Sequence, residues 1–398
     1  MKLTRRTFLA SPLLGFLPRI PPLAGDRALV VLWLDGGMSH LDTFDGKPEA
    51  PIAIRGDLRS VESSLPGTFV SEHLPQVRAR MNRCVLVRSL THGEGNHDRG
   101  AHLLLTGYRP SPVLVHPSLG SVLAGDAQHP LPPYVTIPST PQYGGAGFLG
   151  AAREPFATEG IGADGLAPAP ARARGLELLQ EKDRLDGGPR SASEAARDAF
   201  HARARRLLLD GKARALFDLA DEKPAVRARY GNHALGQNLL RARRLALGGA
   251  RCVLVRDVGW DHHQQIKTGL TYGFPPRLTA LDEGLCALLD DEAVQERVLV
   301  CVMSEFGRTP RMNPSGGRDH WPRAQSVLLF GAGLARGVAI GTTDARGEEP
   351  KDKPVSAAEL HATIFAALGV AMEPLRTPDG RPVRLVDGDA EPLKEALA

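Results

Sequence analysis

An α/β three-layer sandwich around a mostly parallel central sheet is the fold this sequence predicts. Three stretches carry that prediction. Ala28–Leu34 (ALVVLWL), Arg251–Arg256 (RCVLVR) and Val298–Met303 (VLVCVM) are short, mostly aliphatic runs bounded by charged, Gly or Pro positions. Runs of this length without polar alternation read as strands buried on both faces, as in parallel sheets covered by helices. Segments of helical periodicity lie between them, and strands alternating with helices favour a parallel sheet.

The chain of 398 residues opens on a stretch unlike the rest. Residues 1–25 hold Lys2, Arg5, Arg6 and Arg19 and no acid, so they carry the whole formal charge of +4. The remainder is neutral and gives no electrostatic reason to expect nucleic acid or an anionic membrane as partner. Thr4-Arg5-Arg6-Thr7-Phe8-Leu9 resembles a twin-arginine export signal, and the apolar segment Leu9–Leu17 is too short to span a bilayer. The expectation is an exported protein, periplasmic or held in the cell envelope, with no transmembrane segment after signal removal. Residues 27–398 then form one α/β domain.

The first central strand, Ala28–Leu34, ends in Asp35-Gly36-Gly37. An acid at a strand tip followed by two glycines suits close backbone approach to a ligand, and it suits an ordinary turn equally well. Ser39–Arg55 is a loop in which Ser39, His40, Asp42 and Thr43 offer oxygen or nitrogen donors. His73–Met81 reads as a short helix and Cys84–Arg88 as a strand. In Ser89–Pro110 (SLTHGEGNHDRGAHLLLTGYRP), His92, His97, Asp98, Arg99 and His102 crowd into a Gly-rich loop entering a helix near Arg99–Leu105. Three imidazoles with an acid and a base, at a helix N-terminus suited to anions, favour a site over a bland loop.

Pro117–Leu123 is a helix and Tyr134–Ile137 a strand. Ala169–Asp221 is rich in Ala, Arg, Leu and Glu and lacks sheet signals, so it reads as a helical insertion at about 169–221. Gly236–Leu247 is a helix. The strand at Arg251–Arg256 runs into Gly259-Trp260-Asp261-His262-His263. If that segment is extended, Asp261 and His263 share a side and His262 takes the other, a two-point metal clamp. Thr279–Leu289 is a helix leading into Val298–Met303, whose end carries Ser304, Glu305, Gly307, Arg308 and Thr309. Ligands of open α/β sheets sit outside such carboxyl ends. Gly316-Gly317-Arg318-Asp319-His320-Trp321 follows. It reads as a site loop, or as a surface loop in which Asp319 pairs with Arg318 or Arg311. Ser326–Phe330 is a strand, Ala357–Leu368 a helix and Arg381–Val386 a late strand. Cys84, Cys252, Cys286 and Cys301 lie in apolar contexts without a C-x-x-C spacing and read as buried thiols.

The motifs LDGGMSHLDTFD, HDRGAHLLLTG, GWDHH, SEFGRTPR, GGRDHW and ELHATIFAALG, in this order, resemble the alkaline phosphatase superfamily, whose fold sulfatases share. More narrowly, the chain is similar to the bacterial family of domain of unknown function 1501, often exported by the twin-arginine route. The resemblance implies one or two divalent metals at strand ends. By motif, Asp35 matches the first-strand ligand, Asp261 and His263 the middle pair, Glu305 the Asp of an Asp-His-Gly motif, and His320 the late histidine ligand. Phe306 replaces the histidine of Asp-His-Gly, which removes a nitrogen from a second site. His97 stands at the position of the sulfatase nucleophile, where it could attack phosphorus, act as general base or bind metal.

The function these expectations describe is an exported metal-dependent hydrolase of phosphate or sulfate esters. One tightly held ion, Zn²⁺ or Mn²⁺, suits the mixed nitrogen and oxygen donors and acts as Lewis acid. His97 is expected as nucleophile or base, with Arg99 and Arg308 holding the anionic oxygens of the ester substrate. The alternative from another class is an alkaline phosphatase-like fold that has lost catalysis and serves as a binding or assembly protein with an envelope partner.

Overall fold

The computed structural model describes residues 26–125, 129–159, 192–266 and 274–398, with isolated positions between 166 and 185. The twin-arginine stretch lies outside the described residues, as does most of the first part of the expected helical insertion. Within the rest of that insertion stand the helices Ala192–Leu209 and Gly211–Ala215. Among the described residues no helix is long and apolar enough to cross a membrane.

Eight strands form the central sheet: β1 (Ala28–Asp35), β2 (Val85–Leu90), β3 (Tyr134–Ile137), β4 (Phe156–Ala157), β5 (Cys252–Val258), β6 (Val298–Met303), β7 (Gln325–Gly331) and β8 (Val338–Ile340), in the spatial order β8-β2-β7-β6-β1-β5-β3-β4. Strand β1 lies in the middle, parallel to β5 on one side and to β6 on the other. Among the described residues only β7 runs against the rest, antiparallel to both β6 and β2. The expected mostly parallel α/β sheet is therefore present.

Alternation along β1 divides the core. Val30, Leu32 and Leu34 face a layer containing α3 (Ala234–Leu247) and α4 (Phe274–Leu289). Leu29, Val31 and Trp33 face a layer containing α1 (His97–Thr106), α2 (Leu119–Leu123) and α5 (Ala357–Ala367). A strand buried on both sides has no polar face to alternate, which is why these runs are apolar throughout. The four cysteines are free and buried among these layers.

Several elements differ from expectation: α4 begins at Phe274, five residues ahead of Thr279, a short helix Ile52–Arg55 closes the loop Ser39–Arg55, and two further elements are shorter than expected. The late strand Arg381–Val386 shrinks to Pro382–Val383, paired with Leu375–Arg376 in a small ribbon apart from the sheet. With Asp379 and Gly380 before it and Asp387 and Gly388 after it, too little chain remains to reach the sheet edge. The helix at His73–Met81 narrows to Pro75–Arg78, because Pro75 fixes its first turn and cannot sit further inside one.

Candidate metal centre

The carboxyl ends of β1, β5 and β6 converge on the N-terminus of α1, and side chains from four segments meet there. Asn96 caps α1, its side chain accepting from the Arg99 N–H at 3.3 Å. That stop places His97 in the first turn, at the sheet's edge and not in the layer beneath. His97 Nδ1 lies 2.7 Å from Glu305 Oε1, and its Nε2 is 3.5 Å from Asp261 Oδ2. The hydrogen bond to Glu305 raises the His97 pKa, against the effect of burial.

Asp261 and His263 follow β5. The Trp260 N–H donates to the Asp35 carbonyl at 3.1 Å, and the Arg318 N–H donates to the His262 carbonyl at 2.9 Å. These bonds fix the segment between the tip of β1 and the loop at 315–318. Gly317 is required by that contact, since a Cβ there would lie 2.1 Å from the His263 carbonyl carbon. His262 is buried, while His263 turns its Nε2 to within 2.9 Å of Asp261 Oδ1. Burial opposes ionisation of Asp261, but Arg308, His263 and His97 outweigh it and hold its pKa below the ordinary value.

His320 arrives on a two-residue ribbon in which it pairs with Arg308. Its Nε2 lies 3.1 Å from His263 Nε2 and 3.4 Å from Asp261 Oδ1. Burial lowers its pKa. The Phe306 ring forms the apolar wall of the cluster, with its centroid 5.0 Å from that of His97 and 4.6 Å from that of His320.

The far nitrogen of each ring decides what the near one can do. Nδ1 of His97 meets Glu305 Oε1, Nδ1 of His263 meets Asp319 Oδ1 at 2.7 Å, and Nδ1 of His320 meets the Gly95 carbonyl at 2.9 Å. An acceptor at Nδ1 calls for the N–H there and, in the neutral ring that a metal binds, leaves the lone pair on Nε2. All three Nε2 atoms lie within 3.5 Å of an Asp261 oxygen, and those of His263 and His320 face each other at 3.1 Å. Lone pairs at that spacing repel unless a cation or proton lies between them.

Donor atoms of His97, Asp261 and His320 all lie within 4.8 Å of one another. An ion with ligand bonds of about 2.0–2.2 Å wants its donors about 3–4 Å apart, and the Nε2 atoms of His97 and His320 lie 3.5 and 3.4 Å from Asp261 oxygens, a spacing that suits a divalent metal taking nitrogen and oxygen.

Other expected residues stand elsewhere. Asp35, at the tip of β1, accepts from Arg256 Nε at 2.5 Å and is not in the group of converging donors. It shares a face of β1 with Trp33, whose register partner on β5 is Arg256, so the guanidinium meets it first. Glu305 does not reach the cluster centre. It is 1 % exposed, accepts from the Gly36 N–H at 2.9 Å and lies 2.9 Å from Ser304 Oγ as well as against His97. Those donors hold the carboxylate behind the imidazole.

Arg99 makes a two-point surface pair with Glu94, and Arg308 is 1 % exposed. The Arg308 guanidinium donates to the carbonyls of Gly36, Gly37 and Arg318 and to Asp261 Oδ1. Neither arginine is placed to grip an incoming anion; Arg308 anchors the site and Arg99 lies outside it. His92 and His102 are also committed elsewhere, to the Gln325 amide and the Tyr108 carbonyl. Ser39 and Asp42 belong to a buried knot in which Arg318 Nε donates to Asp42 Oδ2 at 2.7 Å. That pair ties down the loop carrying Asp319 and His320. The role of Asp319 had a signal, an acid beside a histidine in a Gly-rich loop. The Gly95 carbonyl had none.

No curated protein matches the chain. Solved structures with some likeness include the C-terminal periplasmic domain of EcEptC from Escherichia coli, 11% identical over 88% of this chain and 87% of that one, with a TM-score of 0.38. The lipoteichoic acid synthase LtaP from Listeria monocytogenes is 10% identical over 92% and 78%, with a TM-score of 0.34. The soluble domain of lipooligosaccharide phosphoethanolamine transferase A from Neisseria meningitidis is 10% identical over 89% and 91%, with a TM-score of 0.35. The family described as protein of unknown function DUF1501 matches residues 26–397, nearly the whole chain, and the chain belongs to that family.

Proposed function

We propose that this protein is a metal-dependent hydrolase of phosphate or sulfate esters, with one divalent ion held by His97, Asp261 and His320 and with His263 as a fourth donor. The observation that carries the reading is the convergence of three Nε2 atoms on one carboxylate, each ring fixed from behind by a partner at Nδ1. The ester class rests on the order of motifs along the chain. A bound divalent ion supplies Lewis acidity toward an ester oxygen.

The protein's own groups do the rest. Phe306 keeps water from one side of the cluster, while Asp261 and His263, each 44% exposed, leave the other side open to substrate. Arg308 holds Asp261 in place and adds positive charge beside the site. His97 is engaged through both ring nitrogens, which favours ligation over nucleophilic attack.

The test is metal analysis of protein loaded with Zn²⁺ or Mn²⁺ at neutral pH, followed by a panel of aryl phosphate and aryl sulfate esters. Bound metal and turnover that His320→Ala abolishes would support the reading. A protein that binds no metal would overturn it. A loaded protein inert to every ester would leave the alternative, an envelope binding or assembly protein, which the commitment of Arg99 and Arg308 to other partners favours.

The twin-arginine stretch completes the proposal with export of a folded chain. Changing Arg5 and Arg6 to Lys should retain the protein in the cytoplasm, and unchanged export would refute this part.

A further inference from the structure

We infer that Glu305 is a positioning residue acting through His97, and not a ligand of the ion. The inference rests on the metal reading above and assigns the outer face of that site. Glu305 lies one residue beyond β6, where a strand-end carboxylate would be expected to bind directly. Its surroundings assign it otherwise.

Oε1 sits between two donors, the Gly36 N–H at 2.9 Å and Nδ1 of His97 at 2.7 Å, which use its two lone pairs. Oε2 lies 2.9 Å from the Ser304 hydroxyl, and that hydroxyl is itself fixed 2.6 Å from the Leu34 carbonyl and 3.0 Å from the Met38 nitrogen. Oε1 is thus held from the chain after β1 and from α1, while the single Ser304 proton lies between Oε2 and the Leu34 carbonyl. Moving it to the ion would break the bond that sets the His97 tautomer and leave the Gly36 N–H without its acceptor in a buried place.

Gly36 links the two shells. Its N–H holds Glu305, while its α-carbon packs so closely on Asp261 that a Cβ would lie 2.4 Å from the Asp261 nitrogen. One backbone position therefore sets the distance between the carboxylate behind His97 and the carboxylate in front of it. A carboxylate behind a ligating imidazole fixes ring orientation and strengthens the nitrogen donor, and its loss typically costs about 10- to 100-fold in metal affinity.

The test compares Zn²⁺ affinity by chelator competition in wild type, Glu305→Gln, Glu305→Ala and His97→Ala, with melting of each metal-free protein as the fold control. Glutamine keeps an oxygen for the Gly36 N–H and the His97 N–H. Glu305→Gln should bind Zn²⁺ within about tenfold of wild type, and Glu305→Ala should fall by about 10- to 100-fold. X-ray absorption of the Zn²⁺-loaded wild type and Glu305→Gln should show the same atoms bonded to the ion. In the metal-free wild type, long-range ¹H–¹⁵N spectra should place the His97 proton on Nδ1, with that preference weakened in Glu305→Ala.

Loss of an oxygen bonded to the ion in Glu305→Gln, with affinity falling as far as in His97→Ala, would make Glu305 a ligand and overturn this inference while leaving the metal reading standing. Absence of Zn²⁺ binding in wild type would overturn both. If Glu305→Ala fails to fold, the glutamine variant and the two spectroscopic measurements still decide.

Discussion

Asp319 Oδ1 lies 2.7 Å from Nδ1 of His263, and the residue after Asp319 brings its own imidazole to 3.1 Å from the opposite nitrogen of that same ring. One loop thus supplies both the group that orients His263 and the neighbour that His263 faces. The loop has this reach because Arg318, the residue before, is buried and tied to Asp42.

The first prediction concerns His320. It delivers an Nε2 to the donor group from a ribbon that is not part of the central sheet. His320→Ala should lower bound metal well below one equivalent while the metal-free protein melts close to wild type. At metal concentrations 100-fold above Kd, wild type should gain about 2.7 kcal/mol that the variant lacks. Metal analysis and melting with and without a chelator measure both quantities.

The second prediction concerns the Asp42–Arg318 pair. Arg318 is fully buried and also donates to the carbonyls of Ile54, Thr309 and Pro310. Asp42→Ala leaves that guanidinium buried without its carboxylate, a change that costs about 3–5 kcal/mol. Urea unfolding should show this loss. Metal affinity should fall with it, although Asp42 touches no donor, because its partner precedes Asp319 and His320 in the chain.

How much of this was legible in the sequence depends on how far each inference had to reach. The strands at Tyr134–Ile137 and Val298–Met303 coincide with their apolar runs, because burial on both faces writes itself into every residue. That Asp261 and His263 lie at the sheet's edge follows from their place just beyond a strand end, whereas His320 reaches them from a Gly-rich loop and a ribbon outside the central sheet. The roles of the acids did not follow. Asp35 looks like a ligand until the register of β1 against β5 sets Arg256 beside it. Glu305 stands beyond a strand end as a ligand would, and that its carboxylate accepts from the Gly36 N–H is not written in the sequence. Both distinctions turn on a few ångströms of cross-strand geometry, which residue type and spacing do not encode. The same holds for Arg308: its guanidinium is spent on backbone carbonyls, and no side-chain pattern announces a carbonyl.

The third prediction tests the closeness of β1 to the segment after β5. Gly36 has φ of +122°, and an added Cβ would press on the Asp261 backbone at 2.4 Å. Gly36→Ala is therefore strained both in its own dihedrals and against a backbone that cannot swing away. It should destabilise the protein by about 2 kcal/mol or more and displace Asp261, so that metal affinity drops further than melting alone would suggest. Gly67→Ala is the control, since its φ is +70° but nothing lies within 4 Å of the added Cβ. That variant should show the dihedral cost and leave metal binding unchanged.

The last prediction concerns acid. Burial depresses the pKa of His361 and of His92 from 6.5 to about 4. His361 lies in α5, with Nε2 2.8 Å from the Leu104 carbonyl and Nδ1 buried without a partner. Each ring is neutral in the folded protein where the unfolded chain has already taken up a proton. Between pH 6.5 and 4 the unfolded state therefore binds more protons, and stability falls as pH falls. The contribution of each ring is fully present above pH 6.5, and a drop to pH 4.5 should remove about 2–3 kcal/mol of it. The measurement is urea unfolding from pH 7 to 4.5 in the presence of a chelator, so that protonation of metal ligands does not enter through lost binding. His361→Gln keeps an N–H for the Leu104 carbonyl but cannot titrate. It should be less stable than wild type at pH 7 and lose less on acidification, by about the contribution of one such ring. If the two proteins lose stability in parallel, His361 is protonated in the folded state, and burial in α5 does not hold it neutral.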